Sequence, residues 1–108
     1  MSTISTHILD TAFGTPAAGI AVTLFRVRDN VALGSGVSDV DGRVRDLTAE
    51  PVVPDTYRLR FETAAYFAAS ARDAFYPEIN VVFLVAGAAH YHVPLLLSPF
   101  GYSTYRGS

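Results

Sequence analysis

Every apolar stretch in this chain is short, bounded by turn-forming residues, and most repeat with a period of two. Thr56 to Thr63 is the clearest case, with Tyr57, Leu59 and Phe61 on one side and Arg58, Arg60 and Glu62 on the other. Successive side chains of a strand point to opposite faces, so this pattern predicts a strand with one buried face. Ile20 to Arg26 likewise sets Ile20, Val22 and Leu24 against Ala21, Thr23 and Phe25. Val31, Leu33, Ser35 and Val37 repeat the pattern, with Gly34 and Gly36 thinning the other face. Ile79 to Val85 and Tyr91 to Ser98 are almost continuously apolar, which predicts strands covered on both faces, by a second sheet or a neighbouring subunit.

The punctuation agrees. Gly14-Thr15-Pro16, Asp29-Asn30, Asp41-Gly42 and Gly87 mark turns, and Pro51 and Pro54 bracket a loop. Phe100 to Tyr105 predicts one further strand. Ala64 to Phe75 breaks the rhythm: rich in alanine and ending before Pro77, it predicts one short helix stopped by the restriction on residues preceding proline. Seven to eight strands and one helix within 108 residues predict an all-β, two-sheet sandwich, with 1–108 as a single domain.

Composition removes several function classes. A net charge of −2 gives no electrostatic footprint for nucleic acid or an anionic membrane. Without cysteine there is no disulfide framework, thiol nucleophile or thiolate metal site. Met1 to Leu9 lacks the basic start and apolar stretch of a secretion signal, and no run approaches the ~20 apolar residues of a membrane span. The expectation is a soluble, cytoplasmic protein. No glycine-rich phosphate loop, paired carboxylates or serine-nucleophile motif is present.

The polar residues that remain are few. His7 lies inside the first strand, and His90 and His92, two apart, share one face of another. An imidazole titrates near working pH, so such a pair fits acid/base chemistry. Two strand histidines with a third from elsewhere can also hold a metal, although no acidic residue flanks them to orient the rings. Arg43 follows the Asp41-Gly42 turn, where it is either a solvated charge or a set of directed donors for a developing oxyanion. Tyr102 to Ser108 combines hydroxyls with Arg106 and has no acidic residue or lysine, as if built to pack into a cleft.

At these residues the chain resembles the 5-hydroxyisourate hydrolases, the transthyretin-related proteins of purine catabolism. The likeness is carried by Ser5-Thr6-His7-Ile8-Leu9-Asp10 with Gly14-Thr15-Pro16-Ala17, by Asp41-Gly42-Arg43, and by Phe75-Tyr76-Pro77-Glu78. It continues through His90-Tyr91-His92-Val93-Pro94-Leu95-Leu96-Leu97-Ser98 and Gly101-Tyr102-Ser103-Thr104 to the closing Tyr105-Arg106-Gly107-Ser108. That last tetrapeptide is the family's hallmark and is lacking in hormone-carrying transthyretins. Ser38-Asp39 and Phe13 depart from the family's usual residues, away from the chemistry.

The resemblance implies a transthyretin-like β-sandwich assembled as a homotetramer, with pairs of subunits forming a channel at the dimer–dimer interface that holds two sites. It implies hydrolysis of 5-hydroxyisourate to 2-oxo-4-hydroxy-4-carboxy-5-ureidoimidazoline in urate degradation, without cofactor or metal. The matching catalytic positions are His7, Arg43, His92 and Ser108, with His7, Arg43, Tyr105 and Ser108 binding substrate. His90 matches a family position with a less definite role. His7 and His92 would share water activation and proton delivery, and the division between them is open at this point. Three rival readings share the fold class or the residues: a carrier of small aromatic ligands, a purely structural sandwich domain, and a metal hydrolase.

Overall fold

The period-two segments pair into two sheets whose apolar faces meet. The computed structural model describes residues 1–108. In chain order the elements are β1 (Thr3–Asp10), β2 (Thr15–Pro16), β3 (Ala21–Arg26), β4 (Val31–Val37), β5 (Arg43–Val44), β6 (Asp55–Glu62), α1 (Ala64–Ala69), β7 (Ile79–Val85), β8 (His90–Ser98) and β9 (Gly101–Thr104). One sheet runs β2-β1-β8-β9, with β5 also on β1; the other runs β4-β3-β6-β7. Two of the nine strands, β2 and β5, are two-residue additions to the edge of β1.

The inward faces are those that alternation marks. Ile20, Val22 and Leu24 are fully buried and meet Tyr57, Leu59 and Phe61 of β6. From the other sheet come Ile4 and Ile8 of β1 and Val93, Leu95 and Leu97 of β8. Each large side chain buried this way contributes about 1.5–3 kcal/mol relative to exposure. Phe25 belongs to the opposite face yet is also buried, because Arg58 and Arg60 set their guanidinium groups 4.6 and 4.9 Å from its ring centroid.

Within the chain β7 is covered on one face only: Val82 and Leu84 are 60% and 73% exposed, which leaves the neighbouring-subunit alternative for the outer face. One expectation needs correcting: the helix is shorter than Ala64 to Phe75. It ends six residues ahead of Phe75, at Ala69, and Pro77 has no part in stopping it. Instead the Ala71 amide donates to the Ala68 carbonyl and the Arg72 amide to the Phe67 carbonyl, with Ala71 at φ 54°. This pair of bonds around a left-handed residue closes the helix and turns the chain. The turn is held from outside, since Asp10, fully buried at the end of β1, accepts from Arg72 Nη2 at 2.7 Å and Tyr66 Oη at 2.7 Å. It also takes the amides of Ala12 and Phe13 at 3.1 and 3.0 Å. The Phe13 ring in turn lies under the Arg72 guanidinium, 3.8 Å away, which gives that unusual residue a structural use.

A left-handed alanine costs ~1–2 kcal/mol that glycine avoids, less what glycine loses in chain entropy. Ala71→Gly is therefore expected to stabilise the protein by about 0.5–1 kcal/mol, read as a rise of several degrees in melting temperature.

Candidate active site

The parallel pairing of β1 with β8 creates the site. Its register sets Thr3 beside His90, Ser5 beside His92 and His7 beside Pro94. In-register neighbours project to the same side of a sheet, so the polar side chains of both strands share the outer face while Ile4, Ile8, Val93 and Leu95 face the core. On the other edge of β1, β5 brings Arg43 opposite His7.

Arg43 is held there by its turn. The Asp39 carboxylate accepts the amides of Asp41 and Arg43 at 2.9 and 3.0 Å, and these bonds, led by the Arg43 amide, keep its pKa below the ordinary carboxylate range. Gly42 has φ 77°, and a Cβ there would lie 2.3 Å from the Ile8 carbonyl oxygen, so only glycine lets the turn press this closely on β1. His7 Nε2–H donates to the Asp41 carbonyl at 2.9 Å, so the turn and His7 orient each other. In the neutral ring, Nδ1 of His7 is then left as an acceptor.

The C-terminal tail approaches from the other side. Thr104 Oγ1 donates to the Pro94 carbonyl at 2.6 Å, Arg106 stacks 4.7 Å from the centroid of the Tyr91 ring, and the Gly107 amide donates to the His92 carbonyl at 2.9 Å. A Cβ on Gly107 would meet His92 Cδ2 at 2.6 Å, so the tail lies flat on the imidazole only because residue 107 has no side chain. Backbone bonds, rather than burial, hold this segment: the Tyr102 and Tyr105 side chains remain exposed.

The result is an open cleft of about 320 Å³ walled by Ser5, Arg43, Arg45, His90, His92 and Ser108, with no hydrophobic residue in its lining. Burial is the main influence that pushes the His92 pKa below its ordinary value, and Arg43, His7 and His90 add to it by charge. His92 is thus a neutral imidazole at neutral pH. Its Nδ1 lies 2.8 Å from Ser5 Oγ, so the ring is oriented by a hydroxyl. No three His, Cys, Asp or Glu side chains are placed together to hold a metal ion.

Of the residues singled out from sequence, Arg43, His90, His92 and Ser108 line one cleft, with His7 directly across the sheet from Arg43. Tyr105 does not join them; it lines an adjacent groove of about 290 Å³ with Val81, Phe83, Leu84 and Tyr91. Ser5 and Arg45 were missed. A signal existed for each: Ser5 is two residues before His7 on the same face of β1, and Arg45 is two after Arg43, just beyond β5. What was absent was the partner strand that gives those faces a purpose.

Comparison with known proteins agrees with this geometry. Residues 4–107 match the sequence pattern of the HIUase/Transthyretin family. The 5-hydroxyisourate hydrolase of Salmonella typhimurium is 48% identical over 109 residues, covering 97% of this chain and 80% of that one. The solved 5-hydroxyisourate hydrolase of Klebsiella pneumoniae superposes with a TM-score of 0.92 at 42% identity, over 100% of both chains. The transthyretin of Sparus aurata shares the fold as well, with a TM-score of 0.87 at 33% identity over 96% of this chain and 95% of that one. With its sandwich and nearly all of its length matched, the chain belongs to the HIUase/Transthyretin family.

Proposed function

We propose that this protein hydrolyses 5-hydroxyisourate to 2-oxo-4-hydroxy-4-carboxy-5-ureidoimidazoline, a step of urate degradation. The observation that carries this reading is the cleft itself: two imidazoles, that of His92 neutral, with two arginines and three hydroxyl residues and no apolar wall. A carrier of aromatic ligands needs mostly apolar walls with a few polar anchors, the reverse of what lines this cleft. That contrast favours the hydrolases over the transthyretins of the same fold.

The chemistry follows from the residues. His92 Nε2 takes a proton from water, whose oxygen then attacks the carbonyl carbon of the cyclic amide. Arg43 places its fork of donors on the carbonyl oxygen as negative charge develops there. When the C–N bond breaks, the leaving nitrogen receives a proton from His92 Nε2–H. His7, with Nε2 committed to the Asp41 carbonyl, offers Nδ1 to a substrate N–H and so acts in binding. Ser108 adds a hydroxyl to the same cleft, and holding a planar ring in one orientation is itself worth several kcal/mol. No step calls for a metal or cofactor.

A homotetramer completes this reading. The cleft opens to solvent on the outer face of its sheet, and the exposed Val82 and Leu84 supply apolar area for contact between subunits. Paired clefts facing each other would form a channel that holds the substrate, and Tyr105 would complete substrate binding within that assembly. The enzyme would act in the cytoplasm as one domain spanning 1–108.

The decisive experiment follows the ultraviolet absorbance of freshly generated 5-hydroxyisourate with wild-type and chelator-treated protein. Decay well above the spontaneous rate that ignores the chelator is expected; decay at the spontaneous rate overturns the proposal. The tail gives a subtler expectation. Gly107→Ala forces the tail off the His92 ring and moves Ser108, so turnover should fall by about 10–10²-fold with an unchanged melting temperature. Wild-type turnover in that variant would remove Ser108 from the site.

A further inference from the structure

The outer face of β1 and β8 carries an unbroken row of hydrogen-bonding groups leading away from His92. Ser5 Oγ lies 2.8 Å from His92 Nδ1 and 2.7 Å from His90 Nε2. The far nitrogen of His90, Nδ1, lies 2.6 Å from Thr3 Oγ1. His90 is exposed and Thr3 only half-buried, so the outer end of the row reaches solvent, while its inner end is the half-buried His92.

Ser5 has one hydroxyl proton and stands between two ring nitrogens, so it donates to one and accepts from the other. The row therefore has two directions. In the first, His92 Nδ1–H donates to Ser5, Ser5 donates to His90 Nε2, and His90 Nδ1–H donates to Thr3. His92 Nε2 then offers a lone pair to the cleft. In the second, Thr3 donates to His90 Nδ1, His90 Nε2–H donates to Ser5, and Ser5 donates to His92 Nδ1. His92 Nε2 then carries a proton. All four residues are neutral in both directions, yet the cleft faces a base in one and an acid in the other.

We infer that Ser5 and His90 are positioning residues that relay a proton between His92 and solvent, converting His92 from base to acid within one turnover. The inference rests on the hydrolase reading above. In the first half, water gives a proton to His92 Nε2 as its oxygen bonds to the carbonyl carbon. The His92 Nδ1 proton moves to Ser5 Oγ, the Ser5 proton to His90 Nε2, the His90 Nδ1 proton to Thr3 Oγ1, and the Thr3 proton to bulk water. In the second half, the C–N bond breaks, its electron pair stays on nitrogen, and His92 Nε2–H protonates that nitrogen. The row shifts back in concert, Thr3 recovers a proton from bulk water, and every group returns to its starting form. The environment gives such a relay a purpose: burial and the nearby Arg43 charge both disfavour an imidazolium lasting through the cycle. Moving the charge to the exposed end avoids it.

The test uses His90→Gln and His90→Ala in the full chain, with an exposed position chosen so that folding is preserved. Glutamine keeps a hydrogen bond to Ser5, but its amide has a fixed donor and a fixed acceptor and passes no proton through. Both variants are expected to lower kcat by about 10–10²-fold with KM within about threefold, the size of effect seen when the partners that orient a working histidine are removed. If His90 merely props Ser5, glutamine restores wild-type kcat and the relay is overturned. A second readout does not depend on turnover. Nitrogen-15 spectra of His92 report which ring nitrogen holds the proton, and Ser5→Ala should shift that tautomer ratio; an unchanged ratio overturns the relay. Wild-type protein with no turnover of 5-hydroxyisourate would instead overturn the hydrolase reading. An active wild type with an indifferent His90→Gln overturns the relay alone.

Discussion

A His92→Ala variant is expected to turn over 5-hydroxyisourate about 10²–10⁴-fold more slowly than wild type, the range that a positioned general acid–base group supplies. In the proposed mechanism His92 acts on water and the leaving nitrogen while Arg43 and Ser108 hold the ring, so the loss should fall on kcat. Its pH dependence is the sharper check. Burial lowers the His92 pKa, so the neutral, basic form persists below the pH at which an ordinary histidine has gained its proton. Wild-type activity should thus hold steady as pH falls past about 6.5 and decline only further down. A rate already halved at pH 6.5 or above would contradict that environment. Because His92 is half-buried, the variant's melting temperature belongs in the same experiment. An intact fold with near-normal turnover would remove the imidazole from the mechanism.

The second large effect concerns shape rather than charge. Arg43→Lys keeps the positive charge but loses the planar fork, and the Asp39 turn fixes only the backbone from which the side chain starts. Losing a directed donor to a developing oxyanion costs about 10²–10³-fold in rate, or about 2.7–4 kcal/mol, so Arg43→Lys should remain at least 10²-fold below wild type. Steady-state rates of Arg43→Lys and Arg43→Ala decide it. Lysine close to wild type would mean that Arg43 contributes only a field, and the stereochemical part of the proposal would fail. The same substitution should leave stability nearly unchanged, because the Arg43 side chain makes no ion pair of its own.

Much of this was open to reading from the chain. Alternation named the buried faces of β3 and β6 residue by residue, because a strand with one wet face writes its orientation into its sequence. For β7 the same logic points beyond the single chain, because its apolar outer residues imply a covering that the chain itself does not contain. The end of α1 was hidden for another reason. Alanine is a good helix former, and nothing local in Ser70-Ala71-Arg72 announces a left-handed turn; the distant Asp10 carboxylate pulls Arg72 out of the helical path. The polar site divided in the same manner. His7, Arg43, His92 and Ser108 were visible through resemblance to a family, whereas Ser5 looked like one serine among several. Its place between two imidazoles depends on strands 87 residues apart in sequence lying parallel, which no local pattern encodes.

That parallel pairing also bears on how the chain is made. At ~5–20 residues per second, a ribosome finishes His92 roughly 4–17 seconds after Ser5. Throughout that interval β1 can gain β2 and β5 along one edge, while the edge meant for β8 stays open. An open edge flanked by the apolar Ile4 and Ile8 invites pairing with a neighbouring nascent chain. On the outer face, however, Thr3, Ser5 and His7 interrupt the apolar residues at every second position. The side chains that the proposed mechanism employs would thus first act as gatekeepers, keeping an unfinished strand soluble until its partner emerges.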